Sequence, residues 1–416
     1  MNTTEIQDNA QQILAVTLLV TLISVAGIAL PYPILAPLFS EASSPLTQFM
    51  QLPPELLLGI VLGIYPLGII IGSSFIGALS DHLGRKRVLS LTLLGSALGY
   101  GLTGLAAASG NFLLFCLARL LTGICEGNIA IARAIATDLH PKIDKLRSFS
   151  LISAMGYGGY LLGPLVGGQL AFAGTEVVFY LAALACLVCT LLSHGLLPKA
   201  LDARVQHADK GSSLVLLKDA QLRRFFLLYL LLTLGVNIYY EFYPLWLVQQ
   251  QDYSAVGISW ATVFLTSCMI ATSLMFNPRL QRRFSQAQAG LLGMLLFSLA
   301  LAMLPASGHF SFLLCFALMG MGIAIYNGFL PAYISTAYEH RAQGQLMGML
   351  VTIFCVGNLL AAIIGSLLSL LAVQWALLVG AITVLLACMV FFHGHFKAGL
   401  WQAKVAMAQE TALPRH

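Results

Sequence analysis

Residues 77–89 read Gly77-Ala78-Leu79-Ser80-Asp81-His82-Leu83-Gly84-Arg85-Lys86-Arg87-Val88-Leu89. They join two long apolar runs, 55–79 and 88–107, and place Asp81, Arg85, Lys86 and Arg87 in the short space between them. A brief basic turn between apolar runs is what a chain shows when it doubles back at the cytoplasmic face of a membrane. Each flanking run has the ~20 apolar residues needed to cross the hydrocarbon. The whole chain repeats this pattern. Further apolar runs lie at 13–39, 112–138, 148–172, 176–197, 222–249, 257–277, 288–304, 311–337, 344–371 and 374–393, twelve in all. Of its 416 residues 59% are hydrophobic and only 9% charged, and mean hydropathy is +0.87. A soluble domain carries about 25% charged residues. That contrast excludes a water-soluble fold, a disordered chain, a coiled coil and a disulfide scaffold. The reading is an all-α membrane protein with twelve transmembrane helices.

The polar stretch 198–221 follows the sixth run and reads as a cytoplasmic linker. It separates an N-terminal six-helix bundle, 1–197, from a C-terminal one, 222–393, with a cytoplasmic tail at 394–416. The basic residues set the orientation. If the N-terminus is inside, the even-numbered connections and the tail hold 19 of the 21 Lys and Arg, and the remaining two, Arg119 and Arg133, lie inside the fourth run. Both termini are therefore expected in the cytoplasm. Residues 1–12 carry Glu5 and Asp8 but no basic residue, so they lack the basic n-region of a cleaved signal peptide. The eight cysteines all sit in apolar runs, which fits neither a disulfide framework nor a metal site. The net charge of +5 is scattered over loops, so no nucleic-acid partner is expected.

Residues 77–89 resemble the loop motif G-x-L-[AS]-D-R-x-G-R-[KR]-x-x-L of the major facilitator superfamily, with His82 where the family usually has Arg. Physically, Gly77 lets helices approach, Gly84 makes the tight turn, and Asp81 and Arg85 are free to pair with each other or with helix ends. Arg119-Leu-Leu-Thr-Gly123 resembles the family's fourth-helix motif. Gly159-Tyr-Leu-Leu-Gly163-Pro164-Leu-Val-Gly167-Gly168 is similar to the G-x-x-x-G-P-x-x-G-G motif of its twelve-helix drug/proton antiporters, a branch that includes tetracycline efflux proteins. The resemblance implies two pseudo-symmetric halves with a substrate site between them at mid-membrane. A weak repeat at an offset of 201 agrees: Glu126 aligns with Asn327, Gly127 with Gly328, and Asp138 with Glu339.

Ionisable residues deep in a membrane helix cost at least about 2.5–3.5 kcal/mol each and mark candidate sites. Here they are Arg119, Glu126 and Arg133 in the fourth run and Glu241 in the seventh. On one continuous helix a spacing of seven keeps the first three within about 40° of one face, but ~10.5 Å apart from neighbour to neighbour. They therefore form either a cavity-facing stripe or, with a bridging group, a self-neutralising set. Glu241 stands in Tyr239-Tyr240-Glu241-Phe242-Tyr243. It reads as a cation site framed by ring faces, as a proton-exchanging carboxyl, or as part of an aromatic belt at the outer membrane surface. Tyr32, Asn128, Asn237, Tyr240, Tyr326 and Asn327 are further candidates for the cavity wall. Asp138 is expected to join Asp81 and Arg85 in a gate on the inner side.

These features together point to a secondary transporter of a bacterial inner membrane. It would be a proton-coupled antiporter exporting a small organic compound, with Glu126 and Glu241 as coupling candidates and a proton or another cation as the coupling ion. A monomer without cofactor or metal is expected. A symporter or uniporter for metabolite uptake is the first alternative. An integral-membrane enzyme is a distant one, because no nucleophile–base cluster is present.

Overall fold

The computed structural model describes residues 8–40, 44–126, 128–139, 142–143, 145–202, 218–308, 310–337 and 343–411. Among them there is no β-strand. In chain order the helices are α1 (Ala10–Ala29), α2 (Tyr32–Ser40), α3 (Pro54–Leu83), α4 (Arg85–Ser109), α5 (Phe112–Cys125), α6 (Asn128–Asp138), α7 (Lys145–Leu170) and α8 (Thr175–Leu196). They continue with α9 (Ala220–Gln251), α10 (Ala255–Ala271), α11 (Asn277–Gln281), α12 (Gln286–Met303), α13 (Ser311–Ala337), α14 (Gln343–Ser369) and α15 (Val373–Thr411).

These helices fall on the twelve apolar runs. Ten spans among the described residues are long and apolar enough to cross a membrane; α5 is a shorter apolar helix, and α7 covers the fifth run. Proline and glycine explain most departures from straight single helices. Pro31 and Pro33 separate α1 from α2 within one span, since proline cannot donate the helix hydrogen bond. Gly84, at φ +98°, ends α3 and allows α4 to start at Arg85. The helical segment α15 runs past the expected membrane exit near residue 393 through Thr411.

Contacts divide the chain into two compact units. The first comprises Met1–Lys210, Asn237–Ser267 and Asn358–Leu377; the second comprises Gly211–Val236, Cys268–Gly357 and Leu378–His416. Within lipid there is little hydrophobic drive between helices, so packing depends on backbones meeting closely. In the first unit α7 lies on α1 through the glycines of the sequence motif. A Cβ on Gly159 would stand 2.8 Å from the Ala26 nitrogen, and one on Gly163 would be 2.5 Å from the Ala26 carbonyl oxygen. Gly167 meets the Leu30 carbonyl and Gly168 meets Ser259 of α10 in the same manner. Helices α3 and α5 cross at Gly68 and Gly123, where a Cβ on either residue would lie about 3 Å from the other's Cα (2.9 and 3.1 Å). In the second unit α12 and α13 cross at Gly293 and Gly322.

The loop motif is also held within the first unit. Arg85 Nε donates to Asp138 Oδ2 at 3.4 Å, and its Nη1 donates to Ser80 Oγ at 2.7 Å. Lys86 Nζ donates to the Leu197 carbonyl. The Arg87 backbone N–H donates to Asp202 Oδ1 at 2.9 Å, and a Cβ on Gly84 would lie 2.3 Å from the Asp202 Cα. The start of the linker is thus seated on the loop, a contact that spacing alone gave no reason to expect. The side chain of Asp81, expected to pair with Arg85, lies outside the described side chains, as do those of Arg133 and of Glu339.

Candidate functional site

The fourth span is two helices. Helix α5 stops at Cys125, α6 starts at Asn128, and Glu126 stands between them at φ −79°, ψ 39° with its N–H bonded to the Gly123 carbonyl at 3.1 Å. Local composition favours a break here. Gly123 and Gly127 lie four residues apart, and each glycine costs a helix ~0.8–1.0 kcal/mol relative to alanine. The seven-residue phase from Arg119 therefore does not run unbroken to Arg133. The carboxyl of Glu126 leaves from non-helical backbone.

Arg119, 5% exposed, lies over the ring of Tyr65 on α3, with its guanidinium carbon 4.3 Å from the centroid. The approach depends on the Gly123 crossing, because a Cβ there would stand 2.2 Å from the Tyr65 carbonyl oxygen. A cation over an aromatic face is worth ~0.5–2 kcal/mol, more where water is excluded. Among the described residues, Nε and Nη1 of Arg119 have no hydrogen-bond partner. Glu126 accepts a bond from the Tyr100 hydroxyl through Oε1 at 3.3 Å, while its Oε2 is buried without a partner. Glu126 and Arg119 therefore do not close into a direct pair, although each is within electrostatic range of the other.

Glu241 in α9 is 5% exposed, and among the described residues both of its carboxyl oxygens lack a hydrogen-bond partner. Next to it in the sequence of α9, Tyr239 stacks on Tyr243 at 5.0 Å and tilts against Tyr240 at 5.3 Å. Tyr243 is tied to Thr262 of α10 through their hydroxyls. Tyr32, the first residue of α2, lies within electrostatic range of Tyr160, Glu241, Arg119 and Tyr243. The first unit thus gathers Arg119, Glu126 and Glu241 with Tyr32, Tyr65, Tyr100 and the α9 tyrosines. Such an arrangement can hold or release a proton at either carboxyl and can present charge with aromatic faces to an organic guest.

Asn237 is buried in the same unit. Asn128 is 2% exposed and bonds to Ser24 and Thr92. Tyr326 and Asn327 lie on α13 in the second unit; Tyr326 packs edge-on against Phe297 at 6.4 Å, and Asn327 is exposed. Tyr65 and Tyr100 escaped sequence reasoning, since a tyrosine in an apolar run carries no spacing signal for its partner. A cavity of about 130 Å³ lies elsewhere, between Ser40, Glu55 and Gln249. It is smaller than the ~300–1,000 Å³ of a typical ligand pocket. Among the described residues no His, Cys, Asp and Glu cluster suits a metal ion.

Comparison with known proteins matches this arrangement to a family. The profile described as Major Facilitator Superfamily matches residues 17–304 and 225–404. The class H tetracycline resistance protein of Pasteurella multocida is 26% identical over 366 residues, covering 84% of this chain and 88% of that protein. The quinolone resistance protein NorA of Staphylococcus aureus is 25% identical over 317 residues, covering 75% and 80%. Among solved structures, the nucleoside transporter NupG has a TM-score of 0.73 at 15% identity, over 91% of this chain and 99% of that one. The human organic anion transporter MFSD10 has 0.64 at 21%, over 92% and 99%. Those two likenesses concern the fold. With a profile match over most of its length and ten apolar spans among its described residues, the chain belongs to the major facilitator superfamily of membrane transporters.

Proposed function

We propose that this transporter is a proton-coupled antiporter that exports a small organic compound across a bacterial inner membrane. The observation that carries the reading is Glu126, a half-buried residue at the helix break with Oε1 held by Tyr100 and a buried Oε2 without a partner among the described residues. Such a group has room in its bonding for a proton and stands close to a fixed cation, Arg119, that stabilises it when the proton leaves. Resistance to tetracycline and quinolone in the names of the relatives favours export. Residues 1–197 and 222–393 act as the two halves, linked by 198–221, and rock around the site so that it opens to one side at a time. Both termini, including the 394–416 tail, are cytoplasmic, and one chain suffices.

In this scheme Glu126 is the coupling residue. Glu241, among its tyrosines, supplies charge to the guest, while Arg85 and Asp138, with Asp81 and Gly77 of the loop, act on the cytoplasmic gate. The test uses purified protein in sealed vesicles with an imposed proton gradient, and tetracycline and norfloxacin as probes. Glutamine keeps the shape of glutamate but cannot titrate. Glu126→Gln abolishes gradient-driven uptake, while probe exchange without a gradient survives and loses its pH dependence. Glu241→Gln weakens probe binding and leaves pH dependence in place. Full gradient-driven transport by Glu126→Gln would overturn the assignment.

A further inference from the structure

The break in the fourth span is held from both sides, and the two sides are held differently. On the α5 side the grip is steric. Gly123 meets Gly68 and the Tyr65 carbonyl, Gly99 meets Thr122, and Gly95 meets Cys125. On the α6 side a polar tie at Asn128 adds to the apolar packing of Ile131, Ala132, Ile135 and Ala136. Asn128 Nδ2 donates to Ser24 Oγ of α1 at 3.1 Å, and Asn128 Oδ1 accepts from Thr92 Oγ1 of α4 at 2.7 Å. All three residues are buried: Asn128 is 2% exposed, Ser24 1% and Thr92 7%. Asparagine at the start of a helix commonly caps its own amides. Here both ends of the amide are engaged by other helices.

We infer that Asn128 is the positioning residue for the Glu126 carboxyl: by tying the first residue of α6 to Ser24 and Thr92 it keeps the fourth span broken at Glu126. With the end of α5 locked by glycine contacts and the start of α6 tied by Asn128, Glu126 is kept out of α5. Its carboxyl is thereby directed to the Tyr100 hydroxyl. Loss of the amide clamp loosens the first turn of α6, while its apolar face stays packed, and the relation of Glu126 to its surroundings changes with it. Among the described side chains, the titratable and charged groups that face Glu126 are Tyr65 of α3, Tyr100 of α4, Arg119 and Cys125 of α5, and Cys186 of α8. The inference deepens the coupling role proposed for Glu126 and rests on it for its functional meaning, but not for its test.

That test reads the carboxyl itself in full-length protein. N,N′-dicyclohexylcarbodiimide reacts with protonated buried carboxyls, and mass spectrometry locates the label at Glu126 and Glu241 separately as pH is varied. Asn128→Ala is expected to shift the pH midpoint of labelling at Glu126 while the midpoint at Glu241 stays in place. Ser24→Ala and Thr92→Val, small changes unlike a core deletion, are expected to shift the Glu126 midpoint in the same direction. Combining them should reproduce Asn128→Ala, with no further change when all three are joined. An unchanged midpoint at Glu126, or equal shifts at both carboxyls, overturns the inference, as does simple additivity of the three substitutions. Labelling needs no transport, so failure of the coupling role would show as gradient-driven transport by Glu126→Gln and leaves this result readable.

Discussion

Arg119 shows how a charge survives in a membrane interior without an opposite charge in contact. Its guanidinium rests on the Tyr65 ring, and a ring face offers negative potential without hydrogen-bond directionality. Two nitrogens thereby remain without a bond, so the residue can respond to a change of charge nearby. Tyr65→Phe keeps the ring and should leave thermal stability in detergent nearly unchanged. Tyr65→Leu removes the face and should cost about 0.5–2 kcal/mol, read as a fall in Tm. Equal stability of the two variants would show that the ring face contributes nothing. Four threonine hydroxyls buried along α1, α4 and α5 pose no comparable problem. Thr17, Thr21, Thr103 and Thr122 each donate to the carbonyl four residues earlier, as helical threonines do.

At the scale of elements, α7 contains its own control. Gly167 faces the Leu30 carbonyl so closely that a Cβ would stand 2.0 Å away, whereas a Cβ on Gly156 of the same helix meets nothing within 4 Å. Gly167→Ala should force α1 and α7 apart and sharply lower the yield of folded protein. Gly156→Ala should be neutral or stabilising by about 0.5–1 kcal/mol, because alanine favours the helix. Size-exclusion profiles and Tm of the two variants decide this. The seat of the linker makes a second prediction. Asp202 accepts the Arg87 N–H, and its carboxylate lies 3.7 Å from a largely exposed guanidinium, an ion pair worth little. The backbone fit of Gly84 should therefore matter more than the charge. Gly84→Ala, strained at φ +98° and blocked by Asp202, should speed tryptic cleavage after Lys199 more than Asp202→Ala does.

At the scale of the molecule, large apolar side chains are exposed in numbers a soluble protein would not tolerate, among them Leu191 at 73%, Leu371 at 79% and Phe172 at 85%. Lipid is the solvent they are made for. Buried positions meanwhile hold Ser, Thr, Asn and the ionisable residues of the site. The orientation proposed from the basic loops is testable in a cysteine-free background. Single cysteines at Ser44 and Ser307 should react with an impermeant thiol reagent in intact cells, and one at Ser212 should not. Labelling at Ser212 would reverse the orientation.

Membrane class, number of spans and the glycine-rich faces were legible in the chain itself, because each depends on local composition. A run of ~20 apolar residues must cross lipid whatever its neighbours are. A glycine repeat at helical spacing offers a smooth face, as Gly159, Gly163 and Gly167 do against α1. The family resemblance was legible for the same reason, since its motifs lie in loops and small-residue faces. The partners of the buried charges were not. Regular spacing suggested a stripe of Arg119, Glu126 and Arg133 on one helix, but the tertiary structure has that helix broken at Glu126. It also gave Arg119 the ring of Tyr65, Glu126 the hydroxyl of Tyr100, and Asn128 the pair Ser24 and Thr92. Asn128 and Ser24 are more than a hundred residues apart in the chain, with |i−j| of 104. Hydrogen bonds and ring contacts of that kind depend on which helix faces meet, and only the tertiary fold decides that.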